Sequence, residues 1–319
     1  MTEQKNILIA VDGSSHSLDA LNYVVFQCRG LKTKVNLLNV FPMASDELVC
    51  QINMDGEFKR SILEKYYEFN RQCEQLARDE IERAKDILIE LGMAPQYISG
   101  VPQMWQSGIA RDILKEARKG YDAVVVGRRG ISRIEAFLLG SVSSKVVQAS
   151  VVTPVWLVGS KSFSHEGPPR ILLAVDDSKN SRKAVEYTAQ FAAGNGAQVS
   201  LCHVVRRLLP GAASAALEIA GEKIEEELYE RMKSKVEEMF DSYITLLANA
   251  GVAREKIATV YRTGSYSRAA EILKTARSGD FDTVVLGRRG ISAVQEFLMG
   301  RVTSKVINGA NDLAVWIVP

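Results

Sequence analysis

Apolar positions along the chain fall into two rhythms. Short, continuous β-branched runs occur at Ile7 to Val11, Val35 to Val40, Tyr97 to Val101, Ala123 to Val126 and Val155 to Val158. They recur at Ile171 to Val175, Val199 to Val204, Ile257 to Tyr261, Thr283 to Leu286 and Val315 to Val318. Unbroken runs of this kind suit strands buried on both faces of a parallel sheet. Between them lies a second rhythm, with apolar residues three or four apart. Ile62, Tyr66, Phe69, Cys73 and Leu76 follow it and it resumes at Ala84, Leu88 and Leu91. In the later part of the chain Ile224, Leu228, Met232, Val236, Met239, Tyr243 and Leu247 do the same. Each predicts a long amphipathic helix laid on its own sheet. Repeated strand–helix–strand order predicts α/β architecture, with two tandem doubly wound domains, each a five-stranded parallel sheet flanked by helices.

The duplication is visible directly. GRRGISRIEAFLLGSVSSK, starting at Gly127, returns as GRRGISAVQEFLMGRVTSK, starting at Gly287, and residues 127–158 match 287–318 at 16 of 32 positions without a gap. Upstream, NILIAVDGS (Asn6 to Ser14) matches RILLAVDDS (Arg170 to Ser178), and VNLLNV matches VSLCHV, at an offset of 164. Units of this length are whole domains and not solenoid repeats. The glycine-, serine- and proline-rich run Gly159 to Pro169 reads as a connection. The expected organisation is a first domain over 1–160, a linker over 161–169 and a second domain over 170–319. The segments 41–55 and 206–220 are expected as loops long enough to cover a site.

Composition narrows the class. The 319 residues are 46% apolar and 24% charged with net charge +2, the balance of a globular protein. Lysines and arginines are scattered among nearly as many acids, so no nucleic-acid stripe is indicated. No apolar stretch approaches the roughly 18 residues of a spanning helix, and no signal peptide precedes Ile7. Cys28, Cys50, Cys73 and Cys202 are far apart, which suits reduced thiols in a cytoplasmic protein. His16 reads as an exposed helix-start residue, His165 falls in the connection, and His203 lies within a strand. None forms a nucleophile–base pair or a metal cluster, so no enzyme chemistry is assigned, and slow ATP hydrolysis stays open.

The repeated cassette carries the candidate chemistry. Gly127 follows directly on a strand, at the sheet edge where parallel α/β folds bind ligands, and glycine there permits a close approach of backbone to ligand. Gly140 precedes another periodic segment, placing Ser141 at a helix N-terminus, an anion site with phosphate as its natural occupant. Ser141 and Ser143 offer hydroxyls, and Arg128 and Arg129 offer charge. Singly, these are ordinary turn glycines, an N-cap and a solvated arginine pair. Together, at one spacing in both copies, they point to a site. Neither G-x-x-x-x-G-K-[ST] nor a G-x-G-x-x-G after a first strand occurs. Asp12, in DGSS, suits an adenine or ribose and not a phosphate.

The spacing G-x2-G-x9-G-S at Gly127, Gly130, Gly140 and Ser141, with VDGS after the first strand and TPVWLV at the end, resembles the universal stress protein family. The resemblance covers essentially the whole chain as two tandem domains. It implies an adenine-nucleotide alpha-hydrolase-like fold and binding of ATP, with Mg²⁺ or Mn²⁺ arriving on the phosphates. By the same resemblance Asp12 would contact the adenosine end and Val40 would line the base pocket. Val126, Gly127, Arg129 and Gly130 would follow the ribose and phosphates, and Gly140, Ser141, Val142 and Ser143 would hold the phosphates. Matching positions in the second copy are Asp176, Val204, Gly287, Arg289, Gly290, Gly300, Arg301, Val302 and Thr303. Family members pair through the last strand, which implies an intramolecular pseudo-dimer here and a further homodimer as an option.

The second copy departs from the pattern at Asp177 for Gly13, Arg301 for Ser141 and Ala314 for Pro154. Arg301 either clamps a phosphate or takes its place, and Asp177 adds charge near the base end. Two functions follow: an ATP-binding stress or regulatory protein, or a tandem scaffold acting by protein contacts alone. An adenylating enzyme would want an SGGxD or HxGH loop, which DGSS and DDSK are not.

Overall fold

A computed structural model describes residues 4–42, 56–130, 139–160, 163, 167–207, 215–290 and 299–319, without the side chains of 58 and 215–222. The first unit runs β1 (Lys5–Ala10), α1 (Ser15–Gln27), β2 (Thr33–Phe41), α2 (Gly56–Glu90), β3 (Ile98–Met104), α3 (Ile109–Ala117), β4 (Ala123–Gly127), α4 (Ser141–Ala149) and β5 (Val155–Val158). The second repeats it as β6 (Arg170–Ala174), α5 (Lys179–Asn195), β7 (Gln198–Arg206), α6 (Ala215–Asn249), β8 (Ile257–Ser265), α7 (Arg268–Ser278), β9 (Thr283–Gly287), α8 (Arg301–Gly309) and β10 (Ala314–Val318).

Within each unit the five strands are parallel and doubly wound, and the two sheets join edge to edge. The ten-stranded order is β3-β2-β1-β4-β5-β10-β9-β6-β7-β8. At the centre β5 and β10 run antiparallel, with Trp156 opposite Trp316. In each unit the chain reverses direction across the sheet between its first and fourth strands, β1 with β4 and β6 with β9.

Side-chain alternation distributes the core. Ile7, Ile9 and Val11 join one buried cluster with residues of α1, α2, α5 and α6, while Leu8 joins another with α3, α4, α7 and α8. Each cluster runs through both units, so neither sheet face has a seam at the β5–β10 junction. Burial of apolar surface at roughly 25 cal/mol per Å² favours this continuity.

The strands lie where the apolar runs predict them, with shifted ends. A 3₁₀ turn occupies Pro95–Tyr97, so β3 starts at Ile98 and reaches Met104. Helix α6 begins at Ala215, so the loop expected through Ala220 is already helical there. Residues 43–55 and 208–214 lie outside the described residues. Both long helices are present at 35 residues each, about 52 Å at 1.5 Å per residue. A nine-residue strand such as β2 spans only about 30 Å. The apolar stripe is therefore buried chiefly toward the helix C-termini, at Ala77, Ile81, Ala84 and Leu88 and at Val236, Phe240, Tyr243 and Leu247. Phe69, Leu76, Ile224 and Leu228, expected on the same stripe, are exposed.

Candidate functional site

The switch point between β1 and β4 gathers the cassette. Strand β1 leads into Asp12, β4 ends at Gly127, and β2, beside β1, carries Val40 near its carboxyl end. Val126 is buried in the cluster beneath α3 and α4, with Val40, Leu139 and Val142 half-buried against it. In the second unit Val204 is buried and Val302 half-buried on the equivalent cluster.

Asp12 is fixed by its neighbours. Its Oδ1 accepts from the Ser14 amide at 3.1 Å and the Ser14 hydroxyl at 2.6 Å. Its Oδ2 lies against Gly130, in the space a Cβ there would need. Asp176 repeats this, accepting from the Ser178 amide at 3.1 Å and lying 2.5 Å from a Cβ built on Gly290. The glycine at the fourth cassette position thus makes room for the carboxylate after the first strand.

Gly127 has a different reason. A Cβ there would stand 2.6 Å from the His16 carbonyl oxygen, and one on Gly287 2.7 Å from that of Asn180. The first cassette glycine lets the opening turn of α1, or of α5, sit against the strand end. Among the described residues the close partner of this glycine is helix backbone. His16 itself is half-buried, with Nδ1 3.4 Å from Asp19 Oδ2, and not the exposed residue expected.

Two helix N-termini face the switch point, and they differ. Ser14 caps α1 by accepting from the Ser17 amide at 3.2 Å. Helix α4 starts at Ser141 with Gly140 at its N-cap and no side-chain cap, leaving first-turn N–H groups without an intrahelical acceptor. Gly140 packs closely, its notional Cβ 3.2 Å from Arg129 Cα and 3.3 Å from the Arg128 carbonyl, and its amide donates to that carbonyl at 2.9 Å. Gly300 repeats the arrangement against Arg288 and Arg289, again with no side-chain cap on α8. Ser141 is exposed; so is Arg301, the first residue of α8.

Three expectations are revised. Ser143, offered as a phosphate donor, is buried and donates its hydroxyl to the Gly127 carbonyl at 2.7 Å, as Thr303 does to Gly287 at 3.0 Å. Arg128 is 2% exposed and points away from the cradle into the other unit, donating to Ile307 O at 2.6 Å and Asn308 O at 3.0 Å. Burial, with the neighbouring Arg129 charge, lowers its pKa to about 10. Arg129 and Arg289 are half-buried at the loop. Asp177 is exposed, so its carboxylate lies in water and does not crowd the loop. The first unit also has a carboxylate there, since a Cβ on Gly13 would stand 2.5 Å from Glu80 Oε2. No spacing in the sequence ties Glu80 to that loop.

Two cavities lie away from the cradle. One of about 850 Å³ is bordered by Phe26, Arg29, Leu91, Tyr97 and Phe163, around the C-terminal end of α1 and the start of β2. The other, about 670 Å³, lies beyond β2 and β3 between Phe41, Tyr66, Tyr67, Pro102 and Met104. Among the described residues no cluster of His, Cys, Asp and Glu could hold a metal ion, and no helix is long and apolar enough to cross a membrane.

A doubly wound sheet with an uncapped helix at its switch point, built twice, defines a tandem α/β protein of the kind the cassette suggested. The model of the universal stress protein family matches residues 3–159 and again 168–319. The chain belongs to that family. It is similar to universal stress protein YxiE of Bacillus subtilis, 29% identical over 138 residues, covering 43% of this chain and 90% of that one. Universal stress protein Slr1230 of Synechocystis is 25% identical over 244 residues, covering 70% of this chain and 80% of the relative. In fold, the crystal structure of a universal stress protein from Archaeoglobus fulgidus aligns with a TM-score of 0.59 at 19% identity, covering 98% of this chain and 97% of that one.

Proposed function

We propose that the first unit binds an adenine nucleotide, ATP above all, and that the protein is a cytoplasmic, nucleotide-dependent stress or regulatory protein. The observation that carries this reading is the contrast at the switch point. Helix α1 is closed by Ser14, while α4 presents an uncapped N-terminus framed by Gly140, where a Cβ would crowd the Arg129 backbone. Phosphates would lie on Ser141, Val142 and the first-turn amides, beside Gly127, Arg129 and Gly130. Asp12 would face the adenosine end, Val40 the base, and Val126 the ribose and phosphates with Gly127, Arg129 and Gly130. A divalent cation, Mg²⁺ or Mn²⁺, would arrive on the phosphates and neutralise them. Residues 1–160 and 170–319 act as the two domains, joined by 161–169, and a further homodimer remains compatible with this organisation.

The second unit keeps Asp176, Gly287, Arg289, Gly290, Gly300, Val302 and Thr303, so its cradle also fits a phosphate, with exposed Arg301 placed to add charge. The role is binding, with no residue assigned to activating water. Titration of the purified chain with ATP tests the reading. We expect saturable binding whose first-unit site is lost in Gly140→Val and weakened about tenfold or less in Ser141→Ala, the scale of one hydrogen bond. A chain that binds no ATP would instead support a scaffold that acts by protein contacts.

A further inference from the structure

Arg128 and Arg288 are the second residues of the two cassettes, and each is 2% exposed. Neither side chain turns toward its own loop. Arg128 crosses from the first unit to the last turn of α8, donating to Ile307 O, Asn308 O and Ala310 O at 2.6, 3.0 and 3.4 Å. Arg288 crosses back to the last turn of α4, donating to Val147 O at 3.0 Å, to Ser150 O at 2.6 Å and to Gln148 O. Positions 147, 148 and 150 become 307, 308 and 310 on adding the 160-residue cassette offset. The two contacts are therefore equivalent under the pseudo-twofold relation of the units.

The chemistry fits the place. The last carbonyls of a helix lack intrahelical donors and carry the negative end of its dipole. A guanidinium forks across several of them at once, which an ammonium on a single flexible stem does not. Burial lowers the pKa of Arg288, with the neighbouring Arg289 charge acting in the same direction. Burying a cation is costly, and removing its partners more so. The arrangement is kept twice nonetheless.

Main-chain bonds of the same arginines build the loops. Arg288 donates its amide to Val318 O at 2.6 Å and its carbonyl accepts from Gly300 N at 2.9 Å. Arg128 does likewise with Val158 O and Gly140 N, both at 2.9 Å. One residue thus shapes the cradle of its own unit with its backbone and grips the cradle helix of the other unit with its side chain.

We infer that Arg288 is a positioning residue for the first unit's anion cradle and Arg128 for the second's, so that the two nucleotide sites are energetically coupled across the β5–β10 junction. Each site is set by a helix whose N-terminus faces the ligand and whose C-terminus is held by the opposite loop. Helix α4 is nine residues long, about 13 Å, and spans from the opposite unit's loop to the ligand end. A ligand that shifts the second loop shifts Arg288, and with it α4; by thermodynamic linkage the reverse holds equally. The coupling rests on the nucleotide reading above, while the cross-unit grip is open to test without any ligand.

Amide hydrogen exchange on the full chain, first without nucleotide, tests the grip. Arg288→Lys, which keeps the cation and loses the fork, is expected to speed exchange at the α4 amides of 144–150 by about tenfold through local opening. Arg128→Lys is expected to do the same at 304–310. Should one variant not fold, the other decides. Acceleration confined to each variant's own loop, or none at all, would overturn the inference. Arg288→Lys is then expected to weaken ATP binding at the first site, the one that Gly140→Val removes, by about 5- to 10-fold, within the usual range of coupling between sites. Unchanged ATP affinity despite faster α4 exchange would overturn the positioning role. A parent chain that binds no ATP would overturn the nucleotide reading, and the exchange map would still decide the grip.

Discussion

Trp156 and Trp316 lie face to face at the junction of the two units, with ring centroids 4.4 Å apart and planes 2° from parallel. They stand opposite each other in the antiparallel β5–β10 register. Each indole N–H donates to a tyrosine of the other unit, Trp156 to Tyr187 at 2.9 Å and Trp316 to Tyr23 at 2.7 Å. The Tyr23 hydroxyl in turn meets Thr283 at 2.7 Å, and that of Tyr187 donates to Asp122 O at 2.9 Å. Both rings are fully buried, so the junction is a shared core and not a surface contact.

Removing either ring should destabilise the whole chain. Trp156→Ala and Trp316→Ala are each expected to lower the unfolding free energy by about 3–5 kcal/mol, the range for deleting a buried aromatic. Phenylalanine at either position should recover part of this. Urea denaturation followed by circular dichroism measures the effect, and a loss below about 1 kcal/mol would mean that the units do not share this core.

Gly127→Ala separates packing from ligand approach. Its Cβ would stand 2.6 Å from the His16 carbonyl, so the variant should lose about 1–3 kcal/mol of stability with no nucleotide present, the usual range for overpacking. Stability equal to the parent, coupled with lost ATP binding, would show that the glycine serves the ligand alone.

His203 makes stability depend on pH. Its pKa is lowered from 6.5, chiefly by burial, while Nδ1 bonds Val175 O at 2.8 Å and opposes the shift. A depressed histidine pKa means that the unfolded chain binds more protons between the folded value and 6.5, so stability rises with pH through that window. The contribution is fully present above pH 6.5 and is lost as pH falls below it. His203→Asn, the residue at the matching position 39, should flatten the change in urea midpoint between about pH 5 and 8. An unaltered slope would refute the assignment.

Cysteine reactivity should follow burial. The thiols of Cys28 and Cys202 are buried and pushed up to about 12 by desolvation, whereas Cys73 is half-buried. At neutral pH a maleimide should label Cys73 well before Cys28 and Cys202, because the thiolate is the nucleophile; Cys50 lies outside the described residues. Labelling of Cys28 first, read by peptide mass spectrometry, would contradict this order.

The sequence disclosed what depends on local periodicity and on repetition. Runs such as Ala123 to Val126 located strands because parallel strands are buried on both faces, and the repeated cassette placed Ser141 at the start of a helix. It concealed what depends on contacts between distant segments. Arg128 resembles a solvated loop cation until its partners near residue 308 are known, and nothing in its spacing names them. Gly127 has the composition of a ligand loop, yet its neighbour is the backbone of α1. Trp156 sits within a motif, but its pairing with Trp316 follows only from the edge-to-edge joining of the sheets. The exposed parts of α2 and α6 are not legible either, because a periodic stripe does not show where the sheet beneath it ends.

Nucleotide content is the most direct test of the account. The purified chain is heat-denatured, the released small molecules are separated by chromatography, and bound adenine nucleotide is counted per chain. The account predicts about one per chain if only the uncapped α4 cradle is filled, rising toward two if Arg301 clamps a second, as copurification with ligand requires tight binding. No released nucleotide, together with no ATP binding on titration, would contradict it.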